Sequence, residues 1–161
     1  MRLERLDHIR VKMLESIQSE RQQIAELYKG APEDFADSLA DDHYFLEEAE
    51  EMVGGLLLVG LYSAVEHFTK QLLRHRYPPN KVTLCYKIEA LQEALAMDCN
   101  VNLSAMPEFA AIDELRKRNN AVKHGGGDRK PSLPAYERLR EVVVPYLERI
   151  ALVVVPQVSV R

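Results

Sequence analysis

Met52-Val-Gly-Gly-Leu-Leu-Leu-Val-Gly-Leu-Tyr-Ser-Ala-Val65 is the most apolar stretch of the chain, and its reading sets the fold class. It runs 14 residues between Glu51 and Glu66, short of the roughly 18–20 that a bilayer core requires. Three glycines and Ser63 lie inside it, a composition suited to close contact between helices in a protein interior. The stretch therefore reads as the middle of a buried helix and not as a membrane span. The N-terminus opens Met1-Arg-Leu-Glu-Arg-Leu-Asp7 and carries no apolar signal core.

Outward from that stretch the periodicity is helical, with no sustained period-two alternation before the last few residues. A first helix is expected over about 3–29, with Leu3, Leu6, Met13, Leu14, Ile17, Ile24 and Leu27 on one stripe that Arg10 and Glu20 interrupt. Lys29-Gly30-Ala31-Pro32 ends it. The second spans about Asp34 to Arg76, bent near Gly54-Gly55, and stops at Tyr77-Pro78-Pro79-Asn80. A third covers about 82–97 through Leu84, Ile88, Leu91 and Leu95. The fourth starts near Pro107, a residue suited to a first helical turn, and ends at Gly125-Gly126-Gly127. A fifth begins around Pro134 and is kinked or divided at Pro145. The expectation is an all-α, four- to five-helix up-and-down bundle. The β-branched run from Leu152 to Arg161 is either a frayed end or an extended edge for another chain.

Composition narrows the function classes. The 161 residues are 47% hydrophobic and 29% charged, with a formal net charge of −4; one soluble domain over 1–161 fits that profile. Cys85 and Cys99 are too few for a disulfide framework or a thiolate metal site, and a reducing, cytoplasmic location is the default. The acidic balance argues against a protein that coats DNA by net positive charge. Charge is nevertheless segregated. Glu33, Asp34, Asp37, Asp41, Asp42, Glu47, Glu48, Glu50 and Glu51 form an acidic run without Lys or Arg, whereas Arg116, Lys117, Arg118, Lys123, Arg129 and Lys130 face only Asp128. One concentrated basic segment in an acidic chain is the pattern of a local phosphate contact.

Chemistry concentrates inside that basic segment, Leu115-Arg-Lys-Arg-Asn-Asn-Ala-Val-Lys-His-Gly-Gly-Gly127. Ile112, Leu115, Asn119 and Val122 share one helical stripe, so Asn119 stands where a bundle expects an apolar side chain. A buried amide without partners costs about 1–3 kcal/mol. Asn120 and His124 are four apart and share a face, where an amide can set the imidazole tautomer. Lys123 and Arg118 nearby favour the neutral ring that a general base needs. The glycines end the helix and let backbone approach a ligand. RNA cleavage by internal transesterification demands such groups: a base for the 2′-hydroxyl proton, a clamp on the non-bridging oxygens and an acid for the leaving oxygen. His124 serves as base or acid, and Arg118 offers the planar fork. Neither a metal nor a cofactor is required. One histidine does not easily serve as both acid and base in one step, which points to a second copy from another protomer.

Arg118-Asn119-Asn120-Ala121-Val122-Lys123-His124 resembles the Arg-Asn-x4-His motif of HEPN (higher-eukaryote and prokaryote nucleotide-binding) domains, and the helical layout resembles that family over roughly 40–152. Leu61-Tyr-Ser-Ala-Val-Glu-His-Phe-Thr-Lys-Gln-Leu72 is similar to the family's long core helix. The first helix, 1–30, and the tail, 153–161, fall outside the resemblance. It implies a metal-independent endoribonuclease of the toxin or phage-defence type, dimeric, with both motifs at the interface. By matching position Arg118 and His124 are the catalytic pair and Asn119 the polar helper; Asn120 and Glu66 are further supporting groups, and Arg116, Lys117 and Lys123 are candidate RNA phosphate contacts. The loose Arg-then-His spacing occurs by chance in roughly half of chains this long, and Arg2 with His8 meets it too. The Asn after Arg lowers the chance expectation to about one in a hundred, and Leu3 holds that position in the Arg2 match.

Other constellations read as ordinary structure. His43 with Glu47, Glu50 and Glu51 lacks the repeat that a di-metal bundle needs. His67 reads as a packed histidine, and His75 as a cation at a helix end. A rival from a different class is a catalytically inactive helical interaction module, one half of a toxin–antitoxin or nucleotidyltransferase pair, with the acidic stretch 33–51 as its partner-binding surface.

Overall fold

Leu57, Leu58 and Leu61, each at most 1% exposed, lie on one long helix that the rest of the chain wraps. A computed structural model describes residues 2–30, 32, 35–85, 87–125 and 131–155, and among these all regular structure is helical. The helices are α1 (Arg2–Leu27), α2 (Ala36–Leu73), α3 (Pro79–Leu84), α4 (Ile88–Cys99), α5 (Phe109–His124) and α6 (Leu133–Val154). A 3-10 turn at Leu103–Ala105 joins α4 to α5. Among the described residues the fold is all-α, as expected, with six α-helices where four or five were anticipated.

Contacts along α2 fix the direction of its neighbours. Leu6 of α1 meets Gly60, Arg21 pairs with Glu50 at 3.0 Å, and the Tyr28 hydroxyl donates to Asp42 at 3.0 Å, so α1 runs antiparallel to α2. Val122 of α5 lies against Gly55, while Ile112 lies near Tyr62 and Glu66, so α5 is antiparallel as well. Ser132, just before α6, touches Gly54, and Tyr146 shares a cavity with Tyr62 and Thr69; α6 therefore runs in the direction of α2. Of the glycine pair, Gly54 acts by close approach. A Cβ on Gly54 would stand 2.9 Å from the Ser132 backbone, so only glycine lets the α5–α6 connection sit this near α2. The helix runs unbroken through both glycines.

Four sequence expectations are corrected in whole or in part. The helix expected over 82–97 is two, since Leu84 ends α3 and α4 starts at Ile88. Cys85 turns inward between them, 6% exposed, with its thiol 4.0 Å from the Ala90 carbonyl. Pro145 does not divide α6. Val143 and Tyr146, at most 1% exposed, flank it, and burial of that order outweighs the roughly 3 kcal/mol penalty of an interior proline. Leu27, placed on the α1 stripe, is 75% exposed, whereas Ile24 in the same last turn is buried. Leu152–Val154, where an extended tail was one option, continues α6; residues from Pro156 onward lie outside the described residues.

Arg10, which interrupts the α1 stripe, and Asp7 beside it on α1 have partners on α6. Arg140 donates to Asp7 at 2.6 and 3.1 Å, the Tyr136 hydroxyl donates to Asp7 at 3.2 Å, and Arg10 reaches Glu137 at 2.7 Å. The hydrogen bond from Arg140 holds the Asp7 carboxyl below the usual carboxylate range. One helix of the set, α2, is long and apolar enough to cross a membrane by length and composition, and 56% of its most apolar window is buried against the other helices.

Candidate functional site

The end of α5 carries most of the candidate site residues. Ile112 and Leu115 anchor the helix in the core, at 2% and 0% exposure, and Asn119 continues the same stripe at 1%. The expectation of an amide at an apolar position is thus met. Its Nδ2 donates to Asn120 Oδ1 at 3.2 Å, and its own Oδ1 is buried without a hydrogen-bond partner. An unsatisfied buried acceptor of this kind costs about 1–3 kcal/mol. Gly125 closes the helix in the left-handed region, φ 64°, with its N–H donated to the Ala121 carbonyl, the cap foreseen from the glycine run. Gly126, Gly127, Asp128, Arg129 and Lys130, which the sequence reading assigned to the same segment, lie outside the described residues.

The cations of the segment do not stand alone. Arg116 donates through Nε and Nη2 to Asp113 Oδ1 at 2.9 and 2.7 Å, and Lys117 Nζ lies 2.8 Å from Asp113 Oδ2. Burial pushes the Asp113 carboxyl up, yet bonds from Lys117 and Arg116 outweigh it and leave the group below its ordinary value. Arg118 Nε donates to Glu114 Oε1 at 2.8 Å, and Arg138 of α6 grips both oxygens of Glu114 at 2.7 Å. That grip, chiefly the Arg138 bond, lowers the Glu114 carboxyl. The charge segregation counted from Arg116 onward is corrected accordingly: Asp113 and Glu114, one turn upstream, balance much of it. Their i,i+3 and i,i+4 spacing was the signal that could have revealed them, whereas the Glu114–Arg138 bridge spans two helices and leaves no local trace.

Arg118, with a side chain 14% exposed, and the exposed His124 stand on one unbroken helix. Six residues apart, they diverge by about 120° around its axis, so the fold of one chain does not converge them. Lys123 is exposed beside His124. Asn120 is four residues from His124 but bonds Asn119, and among the described residues no hydrogen bond joins Asn120 to the imidazole. Glu66 lies elsewhere. It borders a cavity of about 30 Å³ with Tyr62, Thr69, Cys85, Ile112 and Tyr146, two turns along α5 from Asn119, and among the described residues no hydrogen bond links it to the motif. Within that cavity the Thr69 hydroxyl is buried without a partner, and burial followed by the Glu66 charge pushes the Tyr62 phenol up to about 12. His67 packs edge-on against Phe68 with ring centroids 5.4 Å apart, and His43 is exposed on α2.

No family model, curated protein or solved structure matches the chain.

Proposed function

We propose that the chain is a HEPN-like, metal-independent endoribonuclease that cleaves RNA by 2′-hydroxyl transesterification, acting in the cytoplasm as a homodimeric toxin or defence effector. The observation that carries this reading is Asn119: an amide buried on the core stripe of α5 with an unpartnered oxygen, between Arg118 and a helix end that presents His124. Packing alone would favour leucine there, so the amide asks for a reason outside the core.

In the proposed reaction His124 takes the 2′-hydroxyl proton while the 2′-oxygen attacks phosphorus. The P–O5′ bond breaks, leaving a 2′,3′-cyclic phosphate on one product and a 5′-hydroxyl on the other. Arg118 stabilises charge on the non-bridging oxygens, and its bond to Glu114 fixes the plane of the guanidinium. The leaving 5′-oxygen needs a proton, and a second His124, from the partner protomer, supplies it. The divergence of Arg118 and His124 around α5 supports such a composite arrangement. Lys123, with Arg116 and Lys117 after exchange of their Asp113 contacts for phosphate, attracts the RNA backbone.

The test is cleavage of total RNA in EDTA by the unaltered protein and by His124→Ala, with the product ends identified. The expected result is cleavage by the unaltered protein alone, with cyclic phosphate ends. A folded protein that leaves both total RNA and tRNA intact favours the second reading, a non-catalytic helical module bound to an antitoxin or nucleotidyltransferase. The specific observation on that side is the engagement of Arg116, Lys117 and Arg118 by Asp113 and Glu114.

A further inference from the structure

The outer face of α2 carries a stripe of large apolar side chains. Phe45, Met52 and Leu56 are 68%, 67% and 58% exposed, and with Ala49, Val59 and Ser63 they recur at the three- and four-residue spacing of a single helical face. The same face continues into charge at both ends. Asp37 and Asp41 lie exposed towards the N-terminus, and the half-buried Lys70 and the exposed Arg74 lie towards the C-terminus. A stripe that is acidic at one end, apolar in the middle and basic at the other repels itself in parallel and complements itself in antiparallel.

We infer that a second copy of this chain covers this face, its α2 antiparallel to the first about a two-fold axis crossing between Gly55 and Leu56. That axis sets Asp41 opposite Lys70, Asp37 opposite Arg74 and Met52 opposite Val59, an isologous pairing in which each contact occurs twice. It also brings Glu48, and Phe45 one turn away, to the groove of about 330 Å³ beside Ser63, which Arg5, Leu6, Ile9 and Gly60 help to line. The consequence for the motif is direct. Val122 stands against Gly55, 3.5 Å from where a Cβ would be, so the C-terminal end of α5 lies next to the axis in each copy. Both His124 ends then flank one centre, and the site that one chain leaves divergent is completed by the other. The pairing rests on α2 alone; only the role of the axis as a catalytic centre rests on the nuclease reading.

Sedimentation equilibrium of the full chain gives the oligomeric state, and single cysteines give the direction. Under oxidation Leu56→Cys cross-links to its own copy, whereas Phe45→Cys does not, because antiparallel copies of residue 45 lie roughly 30 Å apart; the unaltered protein, with Cys85 and Cys99, is the control. Asp41→Lys weakens the dimer by roughly tenfold or more, and adding Lys70→Asp restores it. A monomer at tens of micromolar, or cross-linking at both positions, overturns the pairing. So does flotation of a monomer with phosphatidylcholine–phosphatidylglycerol vesicles that Met52→Lys abolishes, since the face then belongs to lipid. A Leu56→Cys dimer that cuts no RNA keeps the pairing and removes the nuclease; cleavage by a monomer does the reverse.

Discussion

The two halves of α2 carry similar numbers of apolar side chains, nine among the 20 residues of Asp37–Leu56 and ten among the 17 of Leu57–Leu73, in different surroundings. From Leu57 to Leu73 the helix packs against α5 and α6, with the start of α1 reaching it at Gly60, and Leu57, Leu58, Leu61, Ala64, Val65 and Leu73 are all buried. From Asp37 to Leu56 it meets fewer neighbours; Leu46 and Val53 turn inward while Phe45, Met52 and Leu56 stay outside. Apolar sequence alone is therefore not a measure of burial within one chain. The number of helices that surround a segment decides it, and the half with fewer neighbours keeps a face that association can cover.

The contrast is broken most severely from the enclosed side. Leu61→Ala should destabilise the fold by about 2–5 kcal/mol, and Met52→Ala, measured below the dimerisation range, by less than about 0.5 kcal/mol; urea titration of both variants checks the pair. Equal losses would mean that the outer face is packed in the monomer. At the junction of the halves, Gly54→Ala should cost about 1–3 kcal/mol because its methyl meets backbone. Gly55→Ala meets ordinary contacts of 3.4–3.5 Å and should gain up to about 1 kcal/mol of helix propensity. Opposite signs at adjacent glycines would show that the α5–α6 connection presses on one of them only.

A smaller effect tests the tie between α1 and α6 that encloses the inner half. Arg140→Ala should cost about 1 kcal/mol. The pH dependence follows from the lowered carboxyls of Asp7 and Glu114. Each binds its proton less readily folded than unfolded, so its contribution is present above about pH 5 and is lost as pH falls through the lowered native value. Stability should decline on acidification over that window, and less steeply in Arg140→Ala.

Much of this architecture was legible in the sequence because it is local. The span of α2, the end of α5 at Gly125 and the burial of Asn119 follow from periodicity and turn residues. The division between α3 and α4 was not legible, since Leu84-Cys85-Tyr86-Lys87 contains neither glycine nor proline and the break answers to the inward turn of Cys85. The same holds for the site. Asn119 and the helix-end position of His124 were readable from spacing, and the Asp113 and Glu114 pairs were readable in principle at one turn. The clamp of Arg138 on Glu114 and the separation of Glu66 from the motif depend on how helices distant in sequence come together.

If α5 gives up packing at Asn119 to keep a functional amide, as the proposed nuclease requires, Asn119→Leu separates stability from activity. Chemical denaturation and RNA cleavage in EDTA should be measured on the same preparation. The expected result is a fold more stable by about 1 kcal/mol, since leucine removes the unpartnered acceptor, together with loss of cleavage. A less stable variant, or one that cuts RNA as well as the unaltered protein, contradicts it.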